Sequence, residues 1–539
     1  MADKINYRTG IFYLILMIAT CSPIWSVGYF INQDGSGHLH TAYIMAELLK
    51  GNETLGQFYT FNSISVPNAS GHYLLMVLLQ LFSSFTVTKI MVTLTYAVFV
   101  LATGWLRLRT VGDDGVKTSL LIGAAMGFNW LWLVGFYNFI IGVIVFLLTI
   151  GLYFRWRERV TAPNTIGLSA LLLFAYLSHI VSFLILAGGV LVLAAFASRS
   201  SRAKAVLFAC LAYIPVVPLA VMWKRLSDTG EGFAPVWRSI RDPYSISNWI
   251  YQIRVVDPFI IISRKAFPFI TETSNFHAIF TPALWLFIAF TALAAATFFY
   301  FRANRAHLRE FFPFILLAVG SLLLGALGPD DFQQTNGGCL RERFLICGML
   351  FFVPVFRVGG PRILKSAAQF CLIVVIVFQT MAVWDYALNS NSQAAEFMAG
   401  AEQLRSSRST ILVTFENNSL RYHANTIPQL NCYNGISTDN IVWDNYEFGH
   451  YLFPLVTKSE ADRRFIHDLT TSQFYSLDNP SDGYEDRYYR LESSLSAYNE
   501  RIDTLAIWGE EPRVEELLQR WFEREPYFQS GRLRLFRHR

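Results

Sequence analysis

The sequence predicts a mostly α-helical, polytopic membrane protein of about eleven transmembrane helices with a small C-terminal α/β domain outside the membrane. Three observations carry that expectation. Of 539 residues, 53% are apolar and only 15% are charged, whereas water-soluble domains carry roughly a quarter charged residues. Apolar runs of membrane-crossing length recur up to residue 388 and then stop. Lys and Arg fall in every second connection between those runs. Phe, Tyr and Trp are abundant (46, 25 and 13), and many stand at the ends of apolar runs, where amphipathic rings favour the interface.

The spans are drawn at residues 11–31, 88–106, 118–136, 138–154, 164–180, 182–198, 205–223, 279–301, 312–328, 344–356 and 366–386. The tenth is short for a bilayer. No small-residue cleavage site follows the first run, so it is read as a retained span. The stretch from His72 to Phe85 is too short for a comfortable crossing and suits an interfacial or re-entrant helix. Basic clusters fix the orientation. Lys4 and Arg8 precede the first span; Arg107, Arg109 and Lys117 follow the second; Arg155, Arg157 and Arg159 follow the fourth. Arg199, Arg202 and Lys204, then Arg302, Arg305 and Arg309, then Arg357, Arg362 and Lys365 continue the alternation. The N-terminus and these loops are therefore expected in the cytoplasm, and the chain is read as a bacterial inner-membrane protein. The opposite face receives the first loop (32–87), a long loop (224–278), the loop 330–343 and the C-terminal region.

The membrane domain is expected to end at residue 388. From 389 to 539 charged residues become frequent. Residues 410–415 and 503–509 read as buried strands, and 532–536 alternates as a half-buried edge strand. Helical patterns lie near 393–406, 459–469 and 512–524. No phosphate loop, nucleophile elbow or metal cluster stands out there, so the domain is read as a packing or acceptor-docking module. The six cysteines show no metal spacing; Cys339 and Cys432 are left as a candidate pair on an oxidising side. No basic patch of the nucleic-acid type is present.

Among the candidate chemical groups, Asp34 comes first. An acid at the mouth of a span is costly to hold close to hydrocarbon. It stands in Asn32-Gln33-Asp34-Gly35-Ser36-Gly37-His38-Leu39-His40, ahead of an amphipathic helix that stops at Gly51. The bland alternative is a helix N-cap. His38 and His40 are candidate assistants to a base or metal ligands, although their spacing does not put both on one helix face. His72 opens the interfacial helix. His179 lies at the outer end of the fifth span, where an ionisable group is a functional candidate. Glu47 is the next acid after Asp34. For an anionic partner at the outer interface the candidates are Arg341 and Arg343, then Arg264 and Lys265, with Arg254 and Lys89 behind them; each has a simpler reading as a snorkelling anchor.

The run Asp34-Gly35-x-Gly37-His38-Leu39-x-x-Ala42-Tyr43, the later Asn68-Ala69-Ser70-Gly71-His72-Tyr73-Leu74, and Gly337-Gly338-x-x-Arg341-Glu342-Arg343-Phe344 entering a span resemble the integral-membrane glycosyltransferases of the GT-C fold. An odd span number with an outer C-terminal domain is similar to that family as well. The resemblance implies transfer of a sugar from a polyprenyl-phosphate donor to a glycan, lipid or protein acceptor on the extracytoplasmic face. Asp34 would be the general base, His72 its partner, and Arg341, Arg343, Arg264 and Lys265 would hold the donor phosphate. Many relatives carry two acids in the first loop. Here Gly35 follows Asp34, which leaves a single-base mechanism, with a divalent metal as an open question. A non-catalytic scaffold subunit of a membrane complex is the alternative. A transporter is the third reading, and no inverted repeat or pair of broken spans supports it.

Overall fold

A computed structural model describes residues 7–227, 235–236, 282–329, 331–332, 338–357, 361–415, 422, 424–471 and 484–539. Six helices among these are long and apolar enough to cross a membrane: Tyr7–Trp25, Ser84–Thr110, Tyr137–Trp156, Leu284–Ala303, Arg305–Leu327 and Arg362–Met398. The pair Arg202–Ala212 and Val216–Arg225, bent by 46°, has that length and hydropathy when taken together, as a broken span or a re-entrant loop. Outward faces of these helices present Ile11, Ile15, Ile18, Phe370, Val377 and Met381 uncovered. Such surface is stable against lipid tails and not against water.

The eleven predicted spans are thus not reproduced as eleven long helices, and the reasons are local. The stretch 118–136 breaks at Asn129, whose side chain accepts from the backbone N–H of Trp132 at 3.0 Å and starts a new short helix, Trp130–Val134, after Val116–Gly127. The stretch 344–356 belongs to Leu340–Phe351, a twelve-residue helix buried within the bundle. Helices Ala162–Ser178 and Ile180–Ala195 are 17 and 16 residues long, a little under the length that spans a bilayer. The stretch from His72 forms the ten-residue helix Ser70–Leu79.

The C-terminal region is built on a five-stranded mixed sheet. In spatial order its strands are Ile441–Val442, Ser409–Thr414, Thr504–Trp508, Leu533–Arg537 and Phe528–Ser530. The first three run parallel, with Thr410 opposite Thr504 and Thr414 opposite Trp508. Ser409–Thr414 and Thr504–Trp508 are buried along their whole length, as continuous apolar strands in the middle of a covered sheet should be. Residues 532–536 were expected at an edge. They lie inside instead, because Phe528–Ser530 pairs on their far side.

Two features join this region to the membrane helices. Helix Arg362–Met398 runs 37 residues without a break, through the boundary expected at 388. Along it, Tyr386 donates to the Ile31 carbonyl, Asn391 accepts from Tyr29 N–H at 2.8 Å, and Gln393 accepts from the Thr426 hydroxyl at 3.2 Å. Glu396 pairs with Arg532 at 2.7 Å. The first loop also enters the C-terminal core: Tyr59–Phe61 pairs antiparallel with Leu455–Thr457. Ile44, Met45, Leu55 and Tyr59 pack with Ile411, Trp443, Phe448 and Phe465. All six cysteines are free, so Cys339 and Cys432 are not joined.

Candidate active site

The first loop is anchored before it reaches Asp34. Asn32 donates to the Leu133 carbonyl at 2.9 Å and accepts from the Tyr137 hydroxyl at 2.8 Å. The backbone N–H of Asp34 then donates to Val134 at 2.8 Å. Helix Gly35–Leu49 starts here, and its first turn is crowded. A side chain at Gly35 would meet the Tyr137 hydroxyl, and one at Gly135, which has φ of +100°, would meet the Gly35 backbone. Glycine fits where both the close approach and the left-handed backbone demand it.

Asp34 occupies the N-cap position, yet its side chain makes no capping hydrogen bond. The carboxylate is buried and accepts from the Tyr446 hydroxyl at 3.4 Å. Burial, opposed by His38, raises its pKa to about 6. It lines a cavity of about 220 Å³ together with His38, Asn68, Asn138, His179, Arg343, Tyr446 and His450. Phe136, Phe139, Trp223 and Phe453 supply apolar wall. The Arg343 guanidinium lies over the rings of Phe136 and Phe139, at 5.2 and 5.4 Å, so its charge is aimed by two aromatic faces.

His38, which lines the cavity, converges with two further buried groups. His38 Nδ1 meets Glu447 Oε1. His72 Nε2 meets Glu447 Oε2 at 3.0 Å and Oε1 at 3.3 Å. Thr41 donates its hydroxyl to Oε2. The two imidazoles hold the Glu447 carboxyl well below the ordinary carboxylate range, against the cost of its burial. One ligand atom from each of His38, His72 and Glu447 lies within 4.8 Å of the others, the one such group among the described residues.

The remaining expectations sort by position. His179 caps helix Ile180–Ala195, its Nδ1 accepting from Val181 N–H at 3.2 Å, and lines the cavity as well. His40 points away from His38, toward Asn445 and Gly435, and Nε2 has no hydrogen-bond partner. Burial takes its pKa down to about 3. Glu47 is not part of the site: it lies near the other end of its helix and pairs with Lys50 at 2.8 Å. Arg341 is buried on the same helix as Arg343 but does not line the cavity. Lys89 does not line the cavity; it donates to the Val27 carbonyl and lies 5.9 Å from the Trp25 ring centre. Arg254, Arg264 and Lys265 lie outside the described residues.

Sequence reasoning missed Glu447, Tyr446 and His450. They come from the C-terminal region, in Asp444-Asn445-Tyr446-Glu447-Phe448-Gly449-His450, which was read as packing. A run this dense in polar and aromatic groups with no helical or strand period was the one available signal. The second acid that is absent beside Asp34 in sequence is present beside it in space.

No protein-family model and no curated protein matches the chain. Among solved structures it is similar to the crystal structure of ArnT from Cupriavidus metallidurans bound to undecaprenyl phosphate. The likeness has a TM-score of 0.54 at 10% identity and covers 98% of this chain and 97% of that one. At that identity the likeness is one of fold.

Proposed function

We propose that the protein is an integral-membrane glycosyltransferase that moves a sugar from a polyprenyl-phosphate donor to an acceptor at the extracytoplasmic face. The observation that carries this reading is one cavity lined by a buried carboxylate, Asp34, and a buried guanidinium, Arg343. A polyprenyl-phosphate sugar already has a good leaving group, so the protein needs a base and a phosphate counter-charge. The fold supports the donor class, since ArnT was crystallised with undecaprenyl phosphate on the same architecture.

In the proposed step Asp34 takes the proton from the acceptor hydroxyl or amide. The freed electron pair forms the bond to the anomeric carbon as the bond from that carbon to the phosphate oxygen breaks. The polyprenyl phosphate leaves with the electron pair, and Arg343 compensates its charge. A carboxylate near 6 is poised for this role, because a base is most effective with a pKa close to the working pH. Asn138, Tyr446 and His179 supply polar wall for sugar hydroxyls.

The test is transfer of labelled sugar from a polyprenyl-phosphate donor by purified protein, wild type against Asp34→Asn and Arg343→Gln. Asp34→Asn is expected to lose at least about 100-fold in kcat, the lower range for loss of general-base catalysis. Undiminished transfer in Asp34→Asn would remove the role given to that residue, and absence of transfer in the wild type with every donor tried would favour a scaffold subunit.

A further inference from the structure

We propose that His38, His72 and Glu447 form a binding site for one divalent transition-metal cation of the zinc class, which pins the C-terminal domain to the first outer loop. The three side chains come from three elements: helix Gly35–Leu49, helix Ser70–Leu79 and the 3₁₀ turn Tyr446–Gly449. All are buried, His72 and Glu447 at 0% exposure. Two imidazoles and one carboxylate are a recurrent zinc ligand set, and ligands about 2.0–2.2 Å from an ion stand roughly 3–4 Å from one another. The three ligand atoms here, all within 4.8 Å, need little adjustment to meet that. Nitrogen donors favour zinc-class ions over magnesium or calcium.

Geometry argues for the cation. His38 Nδ1 and His72 Nε2 both face the Glu447 carboxylate in a dry site, with their ring centres 4.9 Å apart. A single divalent cation takes a lone pair from each of the three ligands at once. Outer groups that are held in place are the arrangement that fixes metal-ligating histidines. The outer groups are themselves held: Asn138, 3.4 Å from His72 Nδ1, accepts from Gly71 N–H at 2.6 Å and donates to the Asn68 carbonyl at 3.2 Å. Thr41 holds the other Glu447 oxygen. The inference stands apart from the transfer reading, because an ion can be counted without any sugar moving.

Full-length protein in detergent, stripped with EDTA and reloaded with zinc chloride, is expected to retain about one zinc per chain by mass spectrometry of metals. Cobalt loading is expected to give the visible absorption of a four-coordinate site. Glu447→Gln and His72→Gln are expected to lose the ion and the cobalt bands, while His40→Gln keeps both. Asn138→Ala is expected to weaken zinc binding by about 10–100-fold and keeps the question open to measurement if the ligand variants fail to fold. Reloaded wild type that holds no zinc and shows no cobalt bands overturns the site. So does zinc retained at full stoichiometry and affinity in Asn138→Ala and in every ligand variant that folds.

Discussion

Asp34 and Glu447 are carboxylates at opposite ends of the chain that share one buried neighbourhood and end with opposite character. Asp34 has one weak hydroxyl donor, and desolvation lifts it to about 6. Glu447 has two imidazoles and a threonine hydroxyl and is held as an anion. Environment, not residue type, divides the roles. Asp34 was legible in the sequence because an acid at a span mouth is costly and local. Glu447 was not, because its meaning comes from His38 and His72, which only the tertiary fold brings near. A third acid gives a pH test. Asp444 is buried, accepts from Asn431 at 2.7 Å and Leu412 N–H at 3.3 Å through one oxygen, and leaves the other without a partner. Burial raises it to about 7. Below pH ~4 both folded and unfolded chains carry it protonated. Between about 4 and 7 the unfolded chain ionises first, so stability is lost as pH rises through that window. Asp444→Asn is expected to escape this loss. Its unfolding midpoint should gain on wild type from pH 4 to 7.5, with a ceiling of about 4 kcal/mol from roughly three pKa units. A gap independent of pH would show that Asp444 is not the titrating group.

At the scale of elements, hydropathy counted apolar length well and breaks badly. Val116–Gly127 and Trp130–Val134 read as one span because the Asn129 cap sits inside an apolar run. Helix Tyr484–Tyr498 was not foreseen, since it is polar and tyrosine-rich and carries no long apolar stretch. Strands Ser409–Thr414 and Thr504–Trp508 were legible to within a residue because both are continuous apolar runs. The short ladder between Tyr59–Phe61 and Leu455–Thr457 was invisible, as each partner is three residues long. Yet it brings the Glu447 turn over the first loop. Its closing bonds run from Asn62 N–H to Pro454 and from Lys458 N–H to Phe58, both at 2.8 Å. Val456, opposite Thr60 between them, is therefore in a hydrogen-bonded position. Val456→Pro removes that donor. Hydrogen exchange is expected to show lost protection at Thr60 and Asn62, the ladder amides of this strand, with helix Tyr137–Trp156 unchanged. Retained protection at Thr60 and Asn62 would mean that side-chain packing alone holds the loop.

At the scale of the whole molecule, the charge alternation and the site agree on polarity. Tyr137 at one end of helix Tyr137–Trp156 bonds Asn32 beside Asp34, while Arg155 and Arg157 at the other line a separate cavity with Arg109. Twenty residues put about 30 Å between those ends, the thickness of a hydrocarbon core. A reporter enzyme active only outside the cytoplasm, fused after Arg539, is therefore expected to be active, and one fused after Arg157 inactive. The reverse pattern would place the cavity on the cytoplasmic side.

Helix Arg362–Met398 turns that polarity into a ruler. Its 37 residues reach about 55 Å, well beyond the hydrocarbon core, and its C-terminal turns carry the ties to Ile31, Tyr29, Thr426 and Arg532 in ascending order. The height of the cavity relative to the bilayer is consequently counted in residues. Each one added or removed before Tyr386 would shift the C-terminal assembly by about 1.5 Å and turn it by about 100°. The permitted heights therefore form a coarse ladder, in which only near-whole turns restore the facing. Bilayer thickness and the length of this one helix must be matched to each other in units of a turn.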